Sequence, residues 1–114
     1  METWEKLTIH ITEVDQWHGK PLHTAIVEAA QKHHLSGASV FRGMEGYGLR
    51  DHHTIHTARM FEMASALPIL VILIDQAEAI AAFLPIVQEM VTAGLVIQET
   101  VNVVHRVPKS TATA

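Results

Sequence analysis

Apolar and polar positions alternate near the start of the chain, where Leu7, Ile9 and Ile11 are separated by Thr8, His10 and Thr12. Period two predicts a strand with one apolar face. Gly19-Lys20-Pro21 interrupts it, and Pro21 suits the first turn of a helix, where its missing N–H has no partner to lose. Leu22, Ala25, Ile26, Ala29, Ala30 and His33 then recur at helical spacing, predicting an amphipathic helix over residues 21 to 34. Gly37 follows as a candidate left-handed cap or tight turn. Residues 38 to 45 read as a second strand, and residues 46 to 56, polar and opened by glycines, as an exposed loop. Residues 57 to 66 are ambiguous between strand and short helix, with an extended strand favoured.

The run Ile69-Leu70-Val71-Ile72-Leu73-Ile74 after Pro68 is apolar at every position, β-branched-rich and short, which predicts a strand buried on both faces. Asp75 with Glu78 three residues on has the spacing of a capping box. Ile80, Phe83, Leu84, Val87, Met90 and Val91 predict a second amphipathic helix, with Pro85 expected to kink it and Gly94 to end it. Leu95 to Val104 reads as the last strand, with Val101 and Val103 on one face. The order is β-α-β-β-α-β, an α+β ferredoxin-like arrangement of a four-stranded antiparallel sheet with two helices on one face. Two helices cover one face only, yet residues 69 to 74 are apolar on both, so a second copy of the chain is expected over the other.

At 114 residues the chain holds one domain, expected over residues 1 to 106, with a mobile polar tail over 107 to 114. There is no cysteine, which excludes disulfides and thiolate metal sites. No segment has the pattern of a signal peptide or approaches the roughly 20 apolar residues of a membrane span, and a cytoplasmic protein is expected. The net charge of −4 argues against nucleic acid as a partner. It leaves room for a small anion held by a few local cations. Nine histidines make the charge responsive to pH between about 5 and 8.

Several residues carry a family resemblance. Arg42-Gly43-Met44-Glu45-Gly46-Tyr47-Gly48 resembles the strand-to-loop entry of the PII signalling proteins, and Leu67-Pro68 resembles the entry to their third strand. Gly19-Lys20-Pro21-Leu22, Ile55-His56-Thr57 and Phe83-Leu84-Pro85 resemble, more narrowly, a prokaryotic PII-like family of unknown function. The resemblance covers about Leu7 to Val104. It implies a homotrimer with sheets inward and helices outward. It also implies inter-subunit clefts that bind an adenine nucleotide, and a loop, here 46 to 56, that answers occupancy by contacting a target such as a membrane transport protein. The loop-base positions so implied are Gly46, Tyr47, Gly48 and Arg50, with Arg106 and Lys109 near the C-terminal basic residues; Arg42, Gly43 and His56 are further candidates for ligand binding. The lysine-bearing phosphate loop of PII proteins is replaced by the short Thr92-Ala93-Gly94-Leu95, so AMP or ADP is expected in preference to ATP.

Each candidate has a plainer explanation. The glycines at 46 and 48 allow a backbone to approach a phosphate, or merely bend a strand. Arg42, Arg50 and Arg59 suit bidentate phosphate recognition, or are surface charge. His52, His53 and His56 are the weak candidates for a metal site, against solvated loop histidines; no metal is assigned. Glu45, Asp51 and Asp75 form no acid/base pair, and no nucleophile or phosphoryl-transfer motif is present. A non-enzymatic sensor is therefore favoured over a metal-binding trimer of the CutA type and over a small enzyme using the inter-subunit cleft.

Overall fold

The computed structural model describes residues 2–46 and 66–108. Strand β1 spans Glu2–Thr12, and a two-residue ribbon follows, β2 (Gln16–Trp17) against β3 (Lys20–Pro21). Helix α1 is Leu22–Lys32, β4 Gly37–Arg42, β5 Pro68–Asp75, α2 Ala77–Met90 and β6 Leu95–Val103. The sheet order is β4-β5-β1-β6 and every pairing is antiparallel, which is the ferredoxin-like topology expected.

The register assigns the faces. Leu7, Ile9 and Ile11 of β1 stand opposite Leu73, Val71 and Ile69 of β5. All six are buried in one cluster with Leu22, Ala25, Ile26 and Ala30 of α1 and Ile80, Phe83, Val87 and Met90 of α2. Both helices therefore lie on one side of the two central strands. The alternate residues of β5, Leu70, Ile72 and Ile74, point the other way and are half-buried. They share that open face with Phe41, Leu95 and Ile97, which are 53%, 40% and 38% exposed.

Local chemistry departs from the sequence reading at five junctions. The ribbon β2–β3 is joined by His18 and Gly19, both at positive φ (50° and 84°), as a two-residue hairpin turn of matching twist requires. Pro21 closes this ribbon and is the N-cap of α1 rather than its first residue. The left-handed residue after α1 is His34 (φ 60°), not Gly37. His34 and Leu35 N–H donate to the carbonyls of Gln31 and Ala30, the paired bonds of a Schellman stop. The second strand ends at Arg42 instead of reaching residue 45. Its last partner is Ile69, beyond which Pro68 has no N–H to continue the ladder.

The fourth junction is Asp75, which does not cap α2 as expected. It pairs with Glu5 as the last residue of β5, and the N-cap is Gln76, without a side-chain capping bond. The Asp75 carboxylate is buried and bridges two connections. Oδ2 accepts from Ser36 N–H at 2.9 Å, between α1 and β4, and Oδ1 accepts from Gln76 N–H at 2.6 Å. Helix α2 runs through Pro85, whose missing N–H leaves the carbonyl of Ala81 without its helical donor on the exposed side of the helix. The helix stops at Met90, four residues before Gly94. Gly94 instead lets the turn into β6 press on β1. A Cβ there would stand 2.5 Å from the carbonyl oxygen of His10, at a φ of +143°.

Candidate functional site

Two cationic positions expected to hold a ligand are described, and they lie far apart in one chain. The first is the root of the segment after β4. Arg42, the last residue of that strand, directs its guanidinium to Glu13, with Nη2 2.6 Å from Oε1. Glu13 follows β1 in a turn held by Asp15. The Asp15 carboxylate accepts from Thr12 N–H at 2.7 Å and from the Thr12 hydroxyl at 3.1 Å. Glu13 N–H donates to Leu67 C=O. One turn thus contacts both chain segments that border residues 47–65.

Gly43 and Gly46 belong to this root for a packing reason. Gly43 N–H donates to Pro68 C=O at 2.7 Å, and a Cβ on Gly43 would stand 2.8 Å from Pro68 Cγ. Gly46 has φ +153°, and a Cβ there would be 3.1 Å from the same atom. Both glycines let the chain turn tightly over Pro68, and the Gly43 N–H is already engaged. The bending explanation is sufficient for these two positions. Tyr47, Gly48, Arg50, His52, His53, His56, Arg59 and Lys109 lie outside the described residues, as do the loop beyond Gly46 and all of the strand expected over 57–66 except Ala66, which is not in a strand.

The second position is Arg106, whose guanidinium carbon sits 5.1 Å from the centroid of the Trp4 ring. A guanidinium stacked on an indole gains a cation–π contact while its in-plane N–H donors stay available to an anion. Trp4 has the parity of Lys6, Thr8 and His10, the open-face residues of β1. It is 7% exposed yet absent from the helix-side core. Its Nε1–H is buried with no acceptor among the described residues. A buried donor left unpaired costs about 1–3 kcal/mol, so an acceptor brought to this spot would be favoured.

A family model for DUF190, described as an uncharacterized ACR, matches residues 4–103. The chain belongs to the DUF190 family. It is 34% identical over 99 residues to a UPF0166 protein of Aquifex aeolicus, covering 87% of this chain and 91% of that one. Among solved structures it is similar to CPII of Thiomonas intermedia K12, a nitrogen regulatory PII-like protein bound to ADP, AMP and bicarbonate. The TM-score is 0.57 at 14% identity, covering 90% of this chain and 89% of that one. It is also similar to a putative PII-like signaling protein of Thermus thermophilus, with a TM-score of 0.54 at 17% identity and coverage of 89% and 87%. At these identities the likeness is one of fold, and the fold is PII-like.

Within one DUF190 chain the two cationic positions do not converge. Trp4 and Thr12 are eight residues apart on β1, and a strand rises about 3.3 Å per residue, so roughly 26 Å separates them. Arg106 belongs to the Trp4 end and Arg42 to the Thr12 end. A third charged region lies on the helix side, a cleft of about 360 Å³ between the ribbon and the helices, lined by Trp17, Lys20, Glu28, Lys32, Ile86 and Met90. Its Lys20 Nζ is 2.7 Å from Glu28 Oε1, and this bond holds the Glu28 carboxyl below its ordinary range. No group of three or more His, Asp or Glu among the described residues could hold a metal ion. No helix among them is long and apolar enough to cross a membrane.

Sequence reasoning missed Glu13 and Trp4. Glu13 lies 29 positions from Arg42 with no local pattern linking them. Trp4 lies before the alternation that marks the first strand, and carrying that alternation back from Leu7 would have put it on the open face.

Proposed function

We propose that this protein is a PII-like regulatory protein that works as a homotrimer, binding a small anionic ligand between subunits. The observation that carries this reading is the open sheet face. Leu70, Ile72 and Ile74 are apolar and lie on the side away from both helices, bordered by exposed Phe41, Leu95 and Ile97. Apolar area of this kind gains about 25 cal/mol per Å² when covered, and a second copy supplies the matching surface. Packing sheets inward also offers a way for the Arg106 end of one chain to approach the Arg42 end of the next, which one chain alone cannot do.

The ligand proposed is AMP or ADP rather than ATP. In support, the turn before β6 is packed against the His10 carbonyl through Gly94 and has no lysine, so it offers no cradle for further phosphates. The likeness to CPII, described with ADP and AMP bound, points the same way. The segment 46–56, with Tyr47, Gly48, Arg50 and His56, is proposed to contact the ligand and to report occupancy to a partner, a membrane transport protein being the class the resemblance implies. Lys109 would assist Arg106. The protein is proposed to act in the cytoplasm without catalysing a reaction.

Calorimetric titration with AMP, ADP, ATP and bicarbonate, with divalent metals as the comparison, tests this reading. AMP or ADP should bind more tightly than ATP, and Arg106→Ala should weaken the nucleotide. ATP binding tenfold tighter than both, a margin of about 1.4 kcal/mol, would reject the ligand assignment. Metal binding without nucleotide binding would reject the sensor reading.

A further inference from the structure

We infer that Glu13 is an internal competitor for the ligand at Arg42, an autoinhibitory carboxylate that sets how readily an anion is accepted there. This rests on the proposed anion site at the loop root and deepens it. Three observations carry it. Glu13 Oε1 is 2.6 Å from Arg42 Nη2, the distance of a charge-assisted hydrogen bond, so the carboxylate occupies part of the donor fork that a bidentate phosphate or bicarbonate would use. The Glu13 side chain is only 23% exposed, whereas that of Arg42 is 63% exposed. The inhibitor is therefore held by the fold while the arginine faces solvent. The turn that presents Glu13 is fixed independently of Arg42, by the Asp15 carboxylate on Thr12, by Leu22 N–H on Asp15 C=O and by Glu13 N–H on Leu67 C=O.

An anion taking this position exchanges one carboxylate contact for its own and leaves Glu13 to be resolvated. The exchange favours ligands that bring more negative charge or a bidentate pair of oxygens, since Arg offers a planar fork of donors. A lone monocarboxylate gains little over the group it displaces. The site thus discriminates in favour of a phosphate monoester over a simple carboxylic acid.

The test is calorimetric titration of AMP and of acetate into wild type, Glu13→Gln, Arg42→Ala and the double variant. Glu13→Gln keeps the backbone bond to Leu67 and nearly the same shape. It should raise AMP affinity about three- to tenfold, and this gain should shrink in the Arg42→Ala background. Glu13→Ala, with thermal melting as a check on folding, serves as a second variant and should also raise affinity. If wild type binds AMP and neither Glu13 variant binds it better, the competitor role is overturned while the proposed function stands. The same holds if the gain is undiminished without Arg42, because the effect is then a general field and not competition. If neither wild type nor the Glu13 variants bind AMP, the proposed anion site fails and the inference falls with it.

Discussion

Asp75 is where one side chain joins two connections, and Asp75→Ala measures what that joint contributes. Each carboxylate oxygen accepts a different backbone N–H, Ser36 at 2.9 Å and Gln76 at 2.6 Å, and Asp75 is 7% exposed. Hydrogen bonds to a charged acceptor contribute about 1.5–3 kcal/mol each when buried. Ser36 and Gln76 are themselves exposed, so water recovers part of each loss, and a total of about 2–3 kcal/mol is expected. In a domain near this size, 1 kcal/mol shifts the melting temperature by about 4–8 °C, so the variant should melt roughly 10–20 °C lower. Asp75→Asn is the informative control. The amide has one acceptor oxygen, so it can serve one N–H and must turn an NH2 donor toward the other. It should recover no more than about half of the loss. Urea unfolding of wild type and both variants gives the numbers, provided the slope with denaturant is unchanged. If Asp75→Asn matches wild type within about 0.5 kcal/mol, the two-oxygen bridge is not what stabilises this corner.

Two further outcomes follow from the packing and the polar contacts. Gly94→Ala should destabilise by more than the few tenths of a kcal/mol of an ordinary surface change, because its Cβ would stand 2.5 Å from the His10 carbonyl at φ +143°. Thermal melting checks it, and an unchanged midpoint would mean that the turn is free to shift. Glu5 accepts from Gln98 at 2.9 Å and from Thr100 at 2.7 Å, bonds that hold its carboxyl below the ordinary range. A folded-state value below the unfolded one means that the stabilising contribution is present above the unfolded value and is lost as pH falls through the folded one. A carboxyl-detected NMR titration should show Glu5 titrating low in wild type and closer to normal in Gln98→Ala; equal values in the two proteins would refute the assignment.

The fold was legible in the sequence where periodicity spans enough residues to report a buried face. The alternation of Leu7, Ile9 and Ile11 and the two-faced run at 69–74 mark the central strands, and the helical spacing from Leu22 and from Ile80 marks the covering helices. The ribbon β2–β3 was not legible, since two residues per strand leave no period. Asp75-x-x-Glu78 has the spacing of a cap. Pairing with Glu5 holds Asp75 in the strand, and the helix begins after Gln76. His34 took the left-handed position because the stop is set by where its hydrogen bonds close, and histidine tolerates positive φ better than most residues. For the site, Arg42 was a candidate through the phosphate-binding chemistry of arginine and Arg106 through the family resemblance, and both stand as proposed ligand contacts. Glu13 and Trp4 were not legible, because their meaning comes from partners 29 and 102 positions away, and only the folded register brings them together.

The proposed function requires that copies of this chain close over the open sheet face and hold a nucleotide between them. Mass spectrometry under native conditions, at micromolar protein with AMP or ADP titrated in, reads assembly and occupancy together. A trimer that takes up to three nucleotides is expected, with loss of bound nucleotide in Arg106→Ala while the trimer stays intact. A monomer at that concentration, or a trimer that takes neither nucleotide, would contradict it.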